Sequence, residues 1–263
     1  MNSRNLGIIE HNDLMNPGHL GCPGCGATIA MKFALQALGE KTMVVIPACC
    51  WGVIAGPYPQ SALKVPILHT AFATAGAAAS GLRAALDMRG DTETTVLSWA
   101  GDGGTFDIGF QSLSGAVERN EDCIFVCYDN EAYMNTGVQR SSATPYGMRT
   151  TTTPAGKWKK TGKLKGGARF IHVLATCPTG WRVGSEMSVK IARTAVQTNA
   201  FPLYEVEDGI HYTLNFKGHR KVKEYLTQQG RFNHLTDSDV DQVQKMVDAE
   251  WRLLLRKAGL TSA

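Results

Sequence analysis

The stretch "SWAGDGGTFDIGFQSLSGAVERNEDCIFVCYDNEAYMNTG", Ser98 to Gly137, decides how the rest of this chain is read. An apolar, β-branched run, Thr94–Ala100, ends in Gly-Asp-Gly-Gly; helical spacing follows from Gly109 to Asn120; a second apolar run, Cys123–Asn130, ends in Asp-Asn. Strand, turn, helix and strand at this pace predict a βαβ unit, with both strand ends on the edge where open α/β sheets bind ligands. Gly101, Gly103 and Gly104 let the backbone approach phosphate oxygens, and the helix start offers N–H donors and a positive dipole end. Mg²⁺ takes hard oxygen ligands from few protein groups. Asp102 offers a carboxylate, Asn130 an amide oxygen, and the backbone carbonyl of Ala132 completes the set. An isolated GDG is more often a tight turn with a solvated aspartate. The hydrophobic strand before it and the Asp-Asn strand end after it favour a diphosphate–metal site.

Working outward, the same alternation continues. Helical spacing covers Thr28–Leu38, with Gly39 as its cap, and a short buried strand covers Thr42–Pro47. Val65–Phe72 reads as a strand leading into a helix, Ala73–Met88, whose small residues permit close packing. Ala168–Thr176 reads as a strand, Ser185–Asn199 as a helix and Pro202–Gly209 as a last strand. The tail, from Asp237, is an amphipathic helix with Asp in its first turn, Arg and Lys in its last, and Gly259 as its cap. The expected fold is α/β: a doubly wound, mostly parallel sheet with helices on both faces, forming one domain over residues 1–263. Between Asn130 and Ala168 lies a long polar interval without apolar periodicity, far beyond the ordinary length of a structureless loop.

Composition narrows the class. Of 263 residues, 43% are hydrophobic and 19% charged, as in ordinary globular proteins, and net charge is +4. The positive charge gathers in Gly156–Gly167 and Phe216–Tyr225. No zinc-finger spacing, RNA-binding aromatic motif or helix-turn-helix signature accompanies it, so no nucleic-acid partner is expected. The N-terminus has no apolar signal-peptide core, and no apolar run approaches membrane-spanning length, so a cytoplasmic protein without a membrane segment is expected.

Seven cysteines in such a chain argue against a disulfide framework and toward metal or catalytic use. Cys22 and Cys25 form a CxxC in a glycine-rich turn, Cys49 and Cys50 follow one strand, and Cys177 follows another. On chemistry alone, Cys22 and Cys25 with Cys177 and either Cys49 or Cys50 make a four-thiolate site for zinc or an iron–sulfur cluster. A CxxC alone also reads as a redox dithiol or a chance pair. Cys123 and Cys127 lie in a strand and read as small buried hydrophobes.

The Ser98–Gly137 pattern resembles the thiamine diphosphate motif of thiamine-dependent enzymes. Taken in order, "GCPGCGA", "PACCWG", "SWAGDGGTFDIG", "DNEAYMNTGVQ", "ATCPTGW", "PLYEVEDG" and the tail "VKEYLTQQGRFNHLT" resemble the β subunit of 2-oxoacid:ferredoxin oxidoreductases of the pyruvate synthase type. The resemblance implies a [4Fe–4S] cluster on Cys22, Cys25, Cys50 and Cys177, leaving Cys49 a neighbour rather than a ligand. It implies Mg²⁺ on Asp102, Asn130 and the Ala132 carbonyl, with Gly101, Gly103 and Gly104 at the diphosphate, and Asn135 near the thiazolium and substrate. Some members carry a glutamate directly after CxxCG that contacts the cofactor; here the residue is Ala27. It further implies coenzyme A as co-substrate, an α subunit supplying the thiamine-activating glutamate, γ and ferredoxin-like δ subunits, and ferredoxin as acceptor. The implied substrate is a 2-oxoacid, most often pyruvate, with 2-oxoisovalerate, oxalate and phenylglyoxylate enzymes sharing the motifs. The basic surface would help steer an acidic electron carrier.

One departure stands out. Relatives carry a further strand and two helices before the strand that precedes the fourth cysteine, so about 40 to 50 residues are missing here, which accounts for the implausible loop. The join falls in Thr161–Phe170, near residues 163–168. Against this reading stand a non-oxidative thiamine enzyme, which needs no four cysteines, and a zinc-binding structural domain.

Overall fold

The computed structural model describes residues 13–157 and 170–260. Five parallel strands form the central sheet: β1 (Thr42–Pro47), β2 (Ile67–Thr70), β3 (Thr95–Gly101), β4 (Ile124–Asp129) and β5 (Phe170–Leu174). Their order is β2-β1-β3-β4-β5, and all four pairings are parallel. The chain moves from β1 out to β2, then returns to β1's other side. The crevice between β1 and β3 is therefore the topological switch point, where such sheets take ligands beyond their carboxyl ends.

Alternating side chains of the strands feed two cores. Val44, Ile46, Leu97, Trp99, Val126 and Tyr128 face α1 (Gly26–Leu38), packing with Met31 and Leu35. On the opposite face Val45 and Val96 meet Ala79 and Leu86 of α3 (Ala75–Met88), and Ala100 and Phe125 meet Leu113 of α4 (Phe110–Glu118). Small residues bring α3 and α4 together, as expected: a Cβ on Gly76 would lie 2.4 Å from the Ser112 carbonyl. On the α1 face, α2 (Cys50–Ile54) follows the end of β1 and adds Trp51 and Ile54 to the core. The doubly wound sheet with helices on both faces is thus as the sequence reading had it.

A further apolar cluster lies beyond the strand ends. Trp181 of α5 (Pro178–Trp181), Ile191 and Ala195 of α6 (Ser188–Gln197), Val222 and Tyr225 of α7 (Val222–Leu226), and Val243 of α8 (Asp237–Lys257) gather around Met134 and Met148. Thr236 caps α8 through a reciprocal box with Asp239.

The structure corrects three sequence expectations. The segment Pro202–Gly209 does not add a last strand to the sheet. Its strand, β6 (Tyr204–Glu207), pairs antiparallel with β7 (His211–Leu214) in a separate hairpin. All four β6 residues are exposed, so its alternating pattern builds a solvated ribbon rather than a buried parallel strand. The helix expected from Ser185 begins as a 3₁₀ turn and becomes α-helical at Ser188. Residues 131–157 hold no helix or ladder strand, yet they are not a loose loop: Met148 is fully buried and Ser141 and Thr144 are pinned below. The proposed join near 163–168 lies outside the described residues.

Candidate functional site

The Gly-Asp-Gly turn does not simply cross to a helix. From Gly103 to Asp107 the backbone makes a five-residue π-helical turn, a geometry found mostly at functional sites. It is packed from above: a Cβ on Gly103 would lie 2.2 Å from the Tyr133 ring. Only glycine fits there. Tyr133 in turn leans on Phe72 and hydrogen-bonds Asp107 at 3.1 Å.

Asp102, Asn130 and Ala132 meet at this turn, all buried. One atom of the Asn130 side-chain amide lies 2.8 Å from the Ala132 carbonyl oxygen and 3.0 Å from Asp102 Oδ1. With the nitrogen in that place the amide donates a hydrogen bond to both. With the oxygen there, three oxygens converge as a donor set for a cation. Mg–O distances of about 2.0–2.1 Å place neighbouring ligands of an octahedron about 2.9 Å apart, which the observed spacing matches. The other end of the amide faces Cys50 Sγ at 3.9 Å.

The surrounding charges point the same way. Asp129 pairs with His172 at 2.7 Å, and Glu131 with Arg231. Among the described residues no cation pairs with Asp102, whose polar partner is the Ser141 hydroxyl. Burial first, and the Asp129 charge second, push its carboxyl well above the usual range. A divalent cation at the three oxygens would relieve this, so the donor set and its electrostatics fit one. Glu131, between two of the donors, takes a left-handed backbone at φ 70°. Burial raises its carboxyl to about 7 against the lowering influence of Arg231. Thr144 donates from its hydroxyl to the Glu131 carbonyl at 2.7 Å.

The cysteines come to the same end of the sheet from three elements. Cys22 and Cys25 precede α1, and the loop is docked by Gly26 N–H donating to the Thr176 carbonyl at 2.9 Å. A Cβ on Gly26 would sit 2.6 Å from Thr176 N, so glycine permits this approach beside Cys177. Cys50 opens α2 after β1, and Cys177 caps α5, accepting from Gly180 N–H at 3.4 Å. Burial pushes the Cys50 thiol up to about 12, with Cys49, Cys177 and Cys25 close enough to add to the shift. Burial likewise raises Cys25 and Cys177. Cys22 is exposed. Among the described residues no three His, Cys, Asp or Glu side chains converge as ligands of a single ion. Cys49, half-buried against the core, has the Tyr128 hydroxyl as its partner; Cys123 and Cys127 are buried in or next to β4. Asn135 is exposed, and its backbone N–H faces the Cys50 sulfur. Ala27 is buried, its carbonyl accepting from Trp51 Nε1 at 3.3 Å.

Sequence reasoning missed the residues that hold this arrangement: Glu131, Ser141, Lys157, Trp181 and Arg231. Trp181 Nε1 donates to the Asn130 carbonyl at 2.9 Å, and the Arg231 guanidinium lies 3.8 Å over the Trp181 ring. Arg231 lies in a tail motif quoted above, "QQGRF", yet nothing local tells that it pairs with Glu131, 100 positions earlier.

Fold and site define an open α/β domain with a buried polar cluster at the carboxyl ends of its parallel strands, the edge where such sheets take ligands. The family model for thiamine pyrophosphate enzymes, C-terminal TPP-binding domain, matches residues 49–199. Ketoisovalerate oxidoreductase subunit VorB of Pyrococcus horikoshii is 44% identical over 288 residues, covering 92% of each chain. Pyruvate synthase subunit PorB of Methanothermobacter marburgensis is 41% identical over 279 residues, covering 92% of this chain and 97% of its own. A solved 2-oxoglutarate:ferredoxin oxidoreductase from Magnetococcus marinus shares the fold at TM-score 0.53 and 20% identity, over 69% of this chain and 79% of that one. The chain belongs to the β subunits of the thiamine-dependent 2-oxoacid:ferredoxin oxidoreductases.

Proposed function

We propose that this subunit binds thiamine diphosphate through Mg²⁺ and carries a [4Fe–4S] cluster on Cys22, Cys25, Cys50 and Cys177. In this reading its complex decarboxylates a 2-oxoacid, pyruvate in the first instance, forms acyl-coenzyme A and passes electrons to ferredoxin, or runs in reverse. The convergence of the Asp102 carboxylate, the Asn130 side-chain amide and the Ala132 carbonyl beside Cys50 carries it.

Thiamine diphosphate, when bound, supplies the carbanion that adds to the 2-oxo carbon and accepts the charge left by CO₂. The chain's own work is positioning. Asp102, Asn130 and the Ala132 carbonyl would hold the cation, and the backbone of Gly101, Gly103 and Gly104 would face the diphosphate, with Gly103 also admitting the Tyr133 ring. Trp181 and Thr144 fix the carbonyls of Asn130 and Glu131, so the loop keeps its donors aimed. Asn135, exposed beside Cys50, would meet substrate. The four cysteines offer an electron outlet on the same side of the sheet.

The α subunit supplies the glutamate that activates the cofactor, and γ and ferredoxin-like δ subunits complete a cytoplasmic complex. The names of the relatives, each a subunit, support a shared assembly. Among the described residues no helix is long and apolar enough to cross a membrane. The alignment to VorB runs over 288 residues, more than the 263 of this chain, which supports a segment present in relatives and lacking here.

A branched 2-oxoacid, 2-oxoisovalerate, is the second reading, favoured by the 44% identity to ketoisovalerate oxidoreductase. Co-purification with the partner subunits under anaerobic conditions, then assay of a 2-oxoacid panel with coenzyme A and a viologen dye, tests both. Turnover of pyruvate supports the first and preference for 2-oxoisovalerate the second. A colourless complex that turns over neither overturns the proposal.

A further inference from the structure

A cavity of about 730 Å³ opens between the 149–154 turn, α5 and the 230–234 turn. This volume suits a small organic ligand. Its wall includes Arg149, Arg182, Arg231 and His234, with Thr150 and Asn233 beside them, and among the described residues no carboxylate lines it. Arg231 is neutralised from behind by Glu131. Arg149 and Arg182 are exposed, and among the described residues neither has an ion-pair partner. Burial first, and the nearby Arg149 charge second, disfavour protonation of His234. Two uncompensated guanidiniums in one concave wall, with hydroxyl and amide groups around them, are suited to a multiply charged anion. The wall also includes Gly180, whose N–H donates to Cys177, so the cavity adjoins the cysteine end of the site.

We propose that this cavity binds a phosphorylated small molecule of nucleotide size, with Arg149 and Arg182 as its phosphate contacts. Two sources share this chemistry, the adenosine bisphosphate end of coenzyme A and a free nucleotide; the first rests on the function proposed above, the second does not.

The test is calorimetric titration of the assembled complex with adenosine 3′,5′-bisphosphate and with ADP, neither of which carries a thiol or acyl group. Binding of either ligand, weakened about tenfold or more in both Arg149→Ala and Arg182→Ala, supports the proposal. Arg89→Ala, which removes the same charge at the end of α3, leaves that affinity unchanged. Competition of the bound bisphosphate with coenzyme A assigns the cavity to the co-substrate; binding without competition assigns it to a free nucleotide. The proposal is overturned if neither ligand binds, or if the double variant Arg149→Ala/Arg182→Ala binds as the parent does. Because binding is read directly, a complex that turns over no 2-oxoacid but still binds the bisphosphate separates the two readings.

Discussion

The Asn130 side-chain amide lies 3.0 Å from Asp102 Oδ1 and 2.8 Å from the Ala132 carbonyl oxygen, where its nitrogen can donate to both or its oxygen can share a cation with them. Asp102 itself is a buried carboxylate with no cationic partner among the described residues. Asp102→Asn removes the buried charge and its desolvation cost while keeping the shape. The melting temperature without added ligand is expected to hold or rise. The stabilisation by Mg²⁺ and thiamine diphosphate, about 2.7 kcal/mol at a hundredfold excess over Kd, is expected to vanish. Thermal melts with and without both ligands read the two effects separately. Equal ligand stabilisation in the variant would remove Asp102 from the cation site.

Cys49 and Cys50 are adjacent yet differently placed. Cys50 opens α2 among Cys25, Cys177 and the Asn130 amide, whereas Cys49, likewise half-buried, has the Tyr128 hydroxyl as its partner. Serine at Cys22, Cys25, Cys50 or Cys177 is expected to abolish visible cluster absorbance near 400 nm while diphosphate binding survives; the wavelength is about that of a thiolate-ligated iron–sulfur centre. Cys49→Ser should keep the absorbance. Spectra of anaerobically purified complexes decide it, and retention of colour in Cys25→Ser would refute the cluster assignment.

What the sequence made legible was the part coded locally. The strand Thr42–Pro47 falls where its β-branched run lies, and the GDG and Asp-Asn motifs sit at neighbouring strand ends because β3 and β4 pair directly. The β6–β7 hairpin was misread because Tyr204–Glu207 alternates without saying which sheet it joins. The interval after Asn130 looked structureless because its order comes from side chains reaching far along the chain. Ser141 holds Asp102 from 39 positions away, and Arg231 reaches Glu131 from the C-terminal third. No periodicity records such pairings.

Arg231 is the least dispensable of these. It is buried, pairs with Glu131, stacks over Trp181 and donates from Nε to Gln229 at 2.8 Å. Arg231→Ala strands a buried carboxylate beside the cation donors and is expected to cost about 3–5 kcal/mol. The double variant Glu131→Gln/Arg231→Met removes both charges and is expected to recover part of that loss. Denaturant midpoints of the three proteins measure it; a double variant no more stable than Arg231→Ala would show that the stacking, not the ion pair, dominates.

Lys157 lies beneath the segment that holds Asp102, donating from Nζ to the carbonyls of Ser142 at 2.8 Å and Thr144 at 2.5 Å. It is 7% exposed. Burial, followed by the nearby Arg140 charge, lowers its pKa from 10.5 to about 8. Between those two values the unfolded chain holds a proton that the native state has released. Stability therefore gains with pH across that window, and the penalty for the buried charge is full below it. The gain from this one group is at most about 3 kcal/mol. Lys157→Met loses the hydrogen bonds at every pH but also loses the slope. The stability difference between parent and variant, measured by denaturant unfolding from pH 7.5 to about 10.5, should therefore grow with pH. A difference that stays constant would show that Lys157 is hydrated and titrates as an ordinary lysine.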